Sequence, residues 1–350
     1  MEPITLQHSK GVIRRAGECL AADIKDFEKF FEAYDVLDNW RVSHAYPIQS
    51  MLGYFRKKAF EVDAKSIVAR RLKRTPSIVA KLKRESGMKL DRMEDIGGVR
   101  IIVDNLQKVA EVAKSIKSGS TRNVLRRERD YITHPKESGY RGIHLIYQYY
   151  GAKKENFPFH NVELQIRTKI QHAWATTVEV VGTFTRQGLK ASRGSSEWLE
   201  FFRLAGDVFA AVEKGGLTSN EYGARDELIK QSVSLGVLAK LQAYVVTTRY
   251  VNDRPKKGDN YFMMTLNANS GSIRVLSFPD LETATKVYGK KEIELRDSAD
   301  EDVVLVSTES IKTLKLAYPN YFADTTHFRQ ILNRLMANKT LHPTPGNAPV

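Results

Sequence analysis

The segment NVELQIRT (161–168) alternates apolar and polar side chains, so as a strand it puts Val162, Leu164 and Ile166 on one face and Glu163, Gln165 and Arg167 on the other. A carboxylate, an amide and a guanidinium side by side in a cleft can hold a metal, orient a hydroxyl and bind phosphate; on an edge strand the same face would simply be solvated. In DRMEDIGGVRIIV, Asp95 stands just before a Gly-Gly pair that opens a strand. That place suits a magnesium ligand, because a hard cation takes oxygen donors and needs room for phosphate and water; a turn aspartate is the plainer alternative. The stretch ARRLKRTPSIVAKLKR sets Arg71 and Lys73 ahead of Ser77 at the start of a helix, with Lys81 one turn further on the same face. Two kinds of cation, a hydroxyl and a helix end would then converge on one polyphosphate. In DYITHPKESGYRGIH, Lys136 and Tyr140 occupy a glycine-containing loop before a strand that carries His144. The tyrosine ring offers a flat surface for a nucleobase, and His144 is either a structural hydrogen bonder or part of the site.

These residues need elements to hold them. Leu20, Ile24, Phe27, Phe31 and Tyr34 recur at helical spacing and predict one amphipathic helix over 16–40; Pro47 opens a second, and a third covers 77–86. VRIIV (99–103), GIHLIYQYY (142–150) and NVELQIRT are rich in β-branched and aromatic residues and read as strands, with QKVAEVAKSIKSG as the crossover helix between the first two. The order predicts an α/β or α+β layer fold. Helical patterns over 197–214 and 226–246 follow. After the turn-rich NDRPKKGDN (252–260) come strands YFMMTLN, GSIRVLSF and DVVLVST, a short helix THFRQILNRLMA and a proline-containing tail. The expected division is 1–250 for the domain that holds the site and 251–350 for a β-rich module.

Composition narrows the function classes. The 350 residues are enough for two domains, and 42% apolar with 27% charged residues is the balance of a globular protein. The longest apolar run falls far short of the roughly 18 to 20 residues of a membrane span, and the amino terminus shows no apolar signal region. A cytoplasmic location without a membrane partner is therefore expected. Cys19 is the single cysteine, which excludes an intramolecular disulfide and a zinc site built on several cysteines. The net charge of +14 favours a polyanionic partner, and 14 basic against 6 acidic residues between Phe55 and Arg100 concentrate an excess of 8 there.

RxLKRxPSIxxKLKR, EDIGGVRI, DYIxxPKxSGYRGIH and VELQIRTxxQHAWA, in this order over about 45–185, together resemble the synthetase domain of the RelA/SpoT alarmone synthetases. The resemblance implies a nucleotidyltransferase-like mixed sheet flanked by helices, an α+β fold, and a magnesium-dependent pyrophosphokinase that moves the β,γ-pyrophosphate of ATP to a ribose hydroxyl. It implies that Arg71, Lys73, Ser77 and Lys81 bind ATP, that Asp95 holds Mg2+, and that Glu163 is a second magnesium ligand or the base. Tyr140 would stack the acceptor base, with Lys136, His144, Gln165 and Arg167 on the acceptor and phosphate side. No His-Asp dipeptide occurs in the chain, so the hydrolase half of the long bifunctional members is not expected.

The module after residue 250 makes the chain similar to the fused toxin–antitoxin synthetases of the CapRel type. That resemblance implies pyrophosphate transfer to the 3′ CCA end of tRNA, restraint by a carboxy-terminal pseudo-zinc-finger, without zinc here, and release by a phage capsid protein. Tyr318 and Tyr321 of AYPNYFAD match the Tyr-x-x-Tyr element that blocks the adenine pocket in that group; two core tyrosines are the alternative. A (p)ppGpp synthetase acting on GDP or GTP is the second reading. A non-catalytic RNA-binding regulator is the third, disfavoured because Asp95 and Glu163 are both present.

Overall fold

Strand β5 (Asn161–Thr168) lies between β4 (Ile143–Gln148) and β2 (Gly97–Val103), so both of its edges are paired. The computed structural model describes residues 4–22, 26–185, 187–218, 221–247, 249–252, 261–267, 270, 272–295, 301–307, 315–316, 319–322 and 324–337. Among these, the other strands are β1 (Ile67–Leu72), β3 (Val124–Asp130), β6 (Arg249–Asn252), β7 (Tyr261–Asn267), β8 (Ser272–Phe278) and β9 (Glu301–Ser307). They form one mixed sheet of order β3-β4-β5-β2-β1-β9-β7-β8-β6, in which β2/β5 and β6/β8 are parallel and the other pairs antiparallel. An α+β architecture results.

The helices are α1 (Lys10–Ala21), α2 (Phe27–Ser43), α3 (Ala45–Val62), α4 (Thr75–Arg84), α5 (Leu106–Ser118), α6 (Lys169–Phe184), α7 (Ser196–Glu213), α8 (Tyr222–Ser234), α9 (Val237–Thr247), α10 (Leu281–Glu294) and α11 (Thr326–Met336). Helices α3 and α5 cover one face of the sheet. There Val162, Leu164 and Ile166, all fully buried, pack with Val99, Ile101 and Leu145 against Ile48, Phe55, Val109 and Val112. Each such side chain contributes about 1.5–3 kcal/mol by leaving water. A one-residue slip of β5 would drive Glu163, Gln165 and Arg167 into that layer, so the burial of one face dictates the register of the other.

Two expected elements differ from the structure. The helix predicted over 16–40 is two: Asp26 accepts from the Lys29 amide at 3.2 Å and caps a new helix, which leaves Phe31 48% exposed while Leu20 and Tyr34 are buried. The pattern over 226–246 breaks at Gly236, whose φ of +60° ends α8 and turns the chain into α9. Two strands had no apolar alternation to show them. In β1 (IVARRL) and β3 (VLRRERD) arginines occupy both faces.

Residues on either side of 250 share the sheet. Strand β9 pairs with β1 through Arg71↔Val306, and α11 places Phe328, Ile331, Leu332 and Leu335 among Phe201, Phe209 and Leu228 of the α7–α8 layer. Helix α10 covers the far end of the sheet through Ala284 and Tyr288. Among the described residues, no helix is long and apolar enough to cross a membrane.

Candidate active site

The second face of β5 is the floor of a cleft of ≈1880 Å3. Pairing register decides what stands beside what: Gly98 lies opposite Glu163, Arg71 opposite Gly98, and both Arg100 and His144 opposite Gln165. All eleven residues expected to bind or react, namely Arg71, Lys73, Ser77, Lys81, Asp95, Lys136, Tyr140, His144, Glu163, Gln165 and Arg167, line this one cleft. They come from four elements, β1, α4, β4 and β5, and from three loops, at 73–74, 93–96 and 131–142.

At one end, Asp95 sits between two ammonium groups, with Lys73 Nζ 2.6 Å from Oδ2 and Lys81 Nζ 3.0 Å from Oδ1. The backbone bond from Lys73 N to Ile96 O, 2.7 Å, ties the two loops. Burial works against the Asp95 charge, but the two lysines outweigh it and hold the carboxyl well below the usual carboxylate range. Burial lowers Lys73 in turn, against the pull of Asp95. Ser77 is the third residue of α4 rather than its first, because the helix begins at Thr75 with Pro76 in its opening turn. It still lines the cleft.

At the other end a directional chain of hydrogen bonds runs to Glu163. Arg167 Nη2 donates to the Tyr140 hydroxyl at 2.7 Å; that hydroxyl meets His144 Nε2 at 2.5 Å; His144 Nδ1 meets Glu163 Oε1 at 2.8 Å. Gln165 Nε2 donates to Glu163 Oε2 at 2.7 Å, and its own carbonyl accepts from Arg167 at 2.8 Å. Burial pushes His144 below its ordinary value, so the ring is neutral, donates from Nδ1 and accepts the Tyr140 proton at Nε2. Burial also opposes the Glu163 charge, but the contact with His144 outweighs it, and the carboxyl is lowered to about 2. Tyr140 stands edge-on to His144 and Trp174, with Arg167 4.9 Å and Lys136 5.3 Å from its ring centroid. A base that stacks on this ring takes the place of one of those cations.

Asp95 and Glu163 also border a small recess of ≈20 Å3, together with Arg71, Gly98 and Arg100. A Cβ at Gly98 would lie 3.0 Å from the Glu163 carbonyl oxygen, so glycine keeps the floor between the carboxylates open. Two hard oxygen donors over an ion-sized space fit Mg2+. Among the described residues no three His, Cys, Asp or Glu side chains converge on one metal position, so phosphate and water oxygens would complete the shell.

Several cleft residues escaped the sequence reading. Arg100 is buried on the Gly98 face, and the alternation V-R-I within β2 was its available signal. Glu94 binds Arg127 at 3.1 Å and Arg129 at 2.7 Å, which joins edge strand β3 to the Asp95 loop. Glu179 on α6 binds Lys190 at 2.5 Å. No local pattern announced either cluster. Tyr318 lies outside the described residues, as does the side chain of Tyr321. Their neighbour Asn320, in a short turn at 319–322, lines the cleft, and His172 Nε2 lies 3.2 Å from Leu316 O.

A family model for a region found in RelA / SpoT proteins matches residues 70–182. GTP pyrophosphokinase YjbM of Bacillus subtilis is 37% identical over 114 residues, 31% of this chain and 52% of that protein. GTP pyrophosphokinase YwaC of the same organism is 33% identical over 112 residues, 30% of this chain and 52% of its own. The chain thus spans about half the length of these curated relatives. The crystal structure of small alarmone synthetase 1 from Bacillus subtilis, bound to its product pppGpp, aligns at 22% identity and a TM-score of 0.43 over 53% of this chain and 94% of that one.

Proposed function

We propose that this chain, in which residues 70–182 form a RelA/SpoT-family synthetase domain, is an ATP-dependent pyrophosphokinase that transfers the β,γ-pyrophosphate of ATP to a ribose hydroxyl. One observation carries the reading: Asp95 and Glu163 meet at one recess, with paired lysines on one side and the Arg167–Tyr140–His144 chain on the other. Lys73, Lys81, Arg71 and Ser77 bind the triphosphate, and the lysines exchange Asp95 for phosphate oxygens as it enters. Asp95 and Glu163 would hold Mg2+, which would supply charge neutralisation and polarisation of those oxygens. Tyr140 stacks the acceptor base, while Lys136 and Arg167 face its phosphates.

The acceptor hydroxyl attacks the β-phosphorus, the bond from that phosphorus to the α-phosphate oxygen breaks, and AMP leaves. Glu163, lowered to about 2, is a weak base. Its part is to orient the hydroxyl and take the proton late, which suits a loose transition state with little early nucleophile activation.

For the acceptor we propose the 3′ CCA end of tRNA. Sixteen Lys and Arg against eight Asp and Glu line the cleft, more cationic charge than a free nucleotide requires. The alternative is GDP or GTP, favoured by the names of the relatives, which are GTP pyrophosphokinases. The turn at 319–322 beside the cleft supports restraint of the enzyme by its carboxy-terminal segment, with Tyr318 and Tyr321 entering the ATP side and a partner such as a phage capsid protein withdrawing them. Full-length protein incubated with γ-labelled ATP and, in parallel, bulk tRNA, GDP and GTP tests all of this. Label on tRNA is expected, and from Tyr318→Ala/Tyr321→Ala without any trigger. Label on a guanosine nucleotide alone moves the acceptor to the alternative. No labelled acceptor from either the parent or the double variant overturns the pyrophosphokinase reading.

A further inference from the structure

Helix α7 lies wholly beyond residues 70–182, yet it touches the Tyr140 loop by backbone as well as by side chain. The loop is a tight turn, with Gly139 N bonded to Lys136 O at 2.8 Å and Lys136 N to Tyr140 O at 3.2 Å. Gly139 has φ of +87° and rests on the α7 carbonyls; a Cβ on it would lie 2.9 Å from Phe202 O and 3.0 Å from Arg203 O. From the other side, a Cβ on Gly206 would lie 2.5 Å from Gly139 O and 2.8 Å from its Cα. Neither contact can yield by a rotamer change, since both partners are main chain. A glycine inside a helix weakens it relative to alanine, so Gly206 is explained by this approach and not by the needs of α7.

The same helix grips the surroundings of Tyr140 at three more places. Arg141, the next residue of the loop, gives Nη2 to Asp207 Oδ1 at 3.0 Å, while its Nε and Nη1 are buried without a partner among the described residues. Trp174, edge-on to Tyr140, donates Nε1 to Phe202 O at 2.9 Å. Thr168, adjacent to Arg167 at the end of β5, donates its hydroxyl to Glu213.

We propose that Gly206 and Asp207 of α7 are positioning residues for the acceptor half of the cleft: they set the height and tilt of the 136–142 loop, and with it the Tyr140 ring and its bond to His144. Among the described residues, no glycine of the donor half, built on β1, α4 and the Asp95 loop, meets α7 in this way. This rests on the pyrophosphokinase reading only where turnover is measured.

The experiment uses the full-length chain and compares Gly206→Ala, Asp207→Ala and Asp207→Glu with the parent. Amide exchange by mass spectrometry is read over 131–142 and, as a reference, over 97–103. Initial rates are read with varied acceptor, GDP and bulk tRNA separately, and with varied ATP. For Gly206→Ala, loop exchange is expected to rise at least about tenfold with the reference strand unchanged. The kcat/KM for the acceptor should fall about 100-fold, and KM for ATP should stay within about twofold. Helix propensity alone predicts the opposite, a quieter helix and no kinetic change. Asp207→Ala should shift loop and acceptor the same way by a smaller factor, and Asp207→Glu should restore most of it.

A folded Gly206→Ala protein with parental loop exchange and parental acceptor kinetics overturns the proposal. So does a variant that loses ATP and acceptor equally with exchange raised throughout. If Gly206→Ala does not fold, the two Asp207 variants decide by the same readings. If neither the parent nor Tyr318→Ala/Tyr321→Ala labels GDP, GTP or tRNA, the function above fails while the exchange of 131–142 still decides the role of α7.

Discussion

On the side proposed for ATP, Asp95 is held by the ion pairs with Lys73 and Lys81, at 2.6 and 3.0 Å; on the acceptor side, Glu163 ends a chain through His144 and Tyr140 to Arg167. An ion pair has little angular demand, so ammonium groups pass readily from a carboxylate to an arriving phosphate. A chain of hydrogen bonds fixes directions and proton positions, so each member depends on the next. In the proposed reading the donor half is displaced by its ligand and the acceptor half stays as it is. The supports differ to match: a backbone bond from Lys73 to Ile96 on one side, and the α7 buttress beneath the loop on the other.

The largest expected effect removes what both halves share. Asp95→Asn and Glu163→Gln should each lower kcat for pyrophosphate transfer by at least about 1000-fold, with the thermal midpoint within about 4 °C of the parent. Calorimetry and labelled transfer check it; near-parental turnover in either would dissolve the shared site. Next, Lys81→Gln should raise KM for ATP by about 10- to 100-fold with KM for the acceptor unchanged, since the ion pair of Lys81 is with Asp95. A loss on both substrates would mean that the halves are coupled through Asp95.

Tyr140→Phe removes one hydroxyl from the acceptor chain and leaves Arg167 and His144 Nε2 without it. The ring remains for stacking, so KM for the acceptor should rise about tenfold and ATP binding should not move. The smallest effect is that of pH. His144 titrates below its ordinary value of about 6.5 because it is buried. The neutral ring, and its bond from Tyr140, therefore persist through neutrality and are lost only as pH falls through that lowered pKa. On the acid side of that lowered pKa, at saturating magnesium, KM for the acceptor should rise, while Asp95, held well below the carboxylate range, keeps its charge and the ATP side stays flat. Tyr140→Phe should remove this acid sensitivity, and a sensitivity that survives in that variant would place the titrating group elsewhere.

Which face of β5 is core was legible from Val162, Leu164 and Ile166, because a period of two is a property of the strand itself. The helix start near Ser77 was legible to within two residues, because Pro76 acts on its own backbone. Charged strands were not. β1 and β3 carry arginines where an isolated strand would show alternation, and they are strands because neighbours supply their ladder bonds: β2 and β9 for β1, β4 for β3. The helix expected over 16–40 failed for a related reason, since a periodic stripe says nothing of where a capping aspartate restarts the chain.

By itself, then, the sequence determined the residue types of the site, the faces of its strands and the basic character of its cleft, all of which depend on neighbours a few positions away. Tertiary structure alone decided that Arg100 and His144 flank Gln165, that Asp95 is clasped by two lysines, that residues beyond 250 extend the same sheet, and that Gly206 meets Gly139. Those are matters of register between strands and of approach between backbones far apart in the chain. Their energies come from the burial and pairing of both partners at once, and neither partner records the other in its own stretch of sequence.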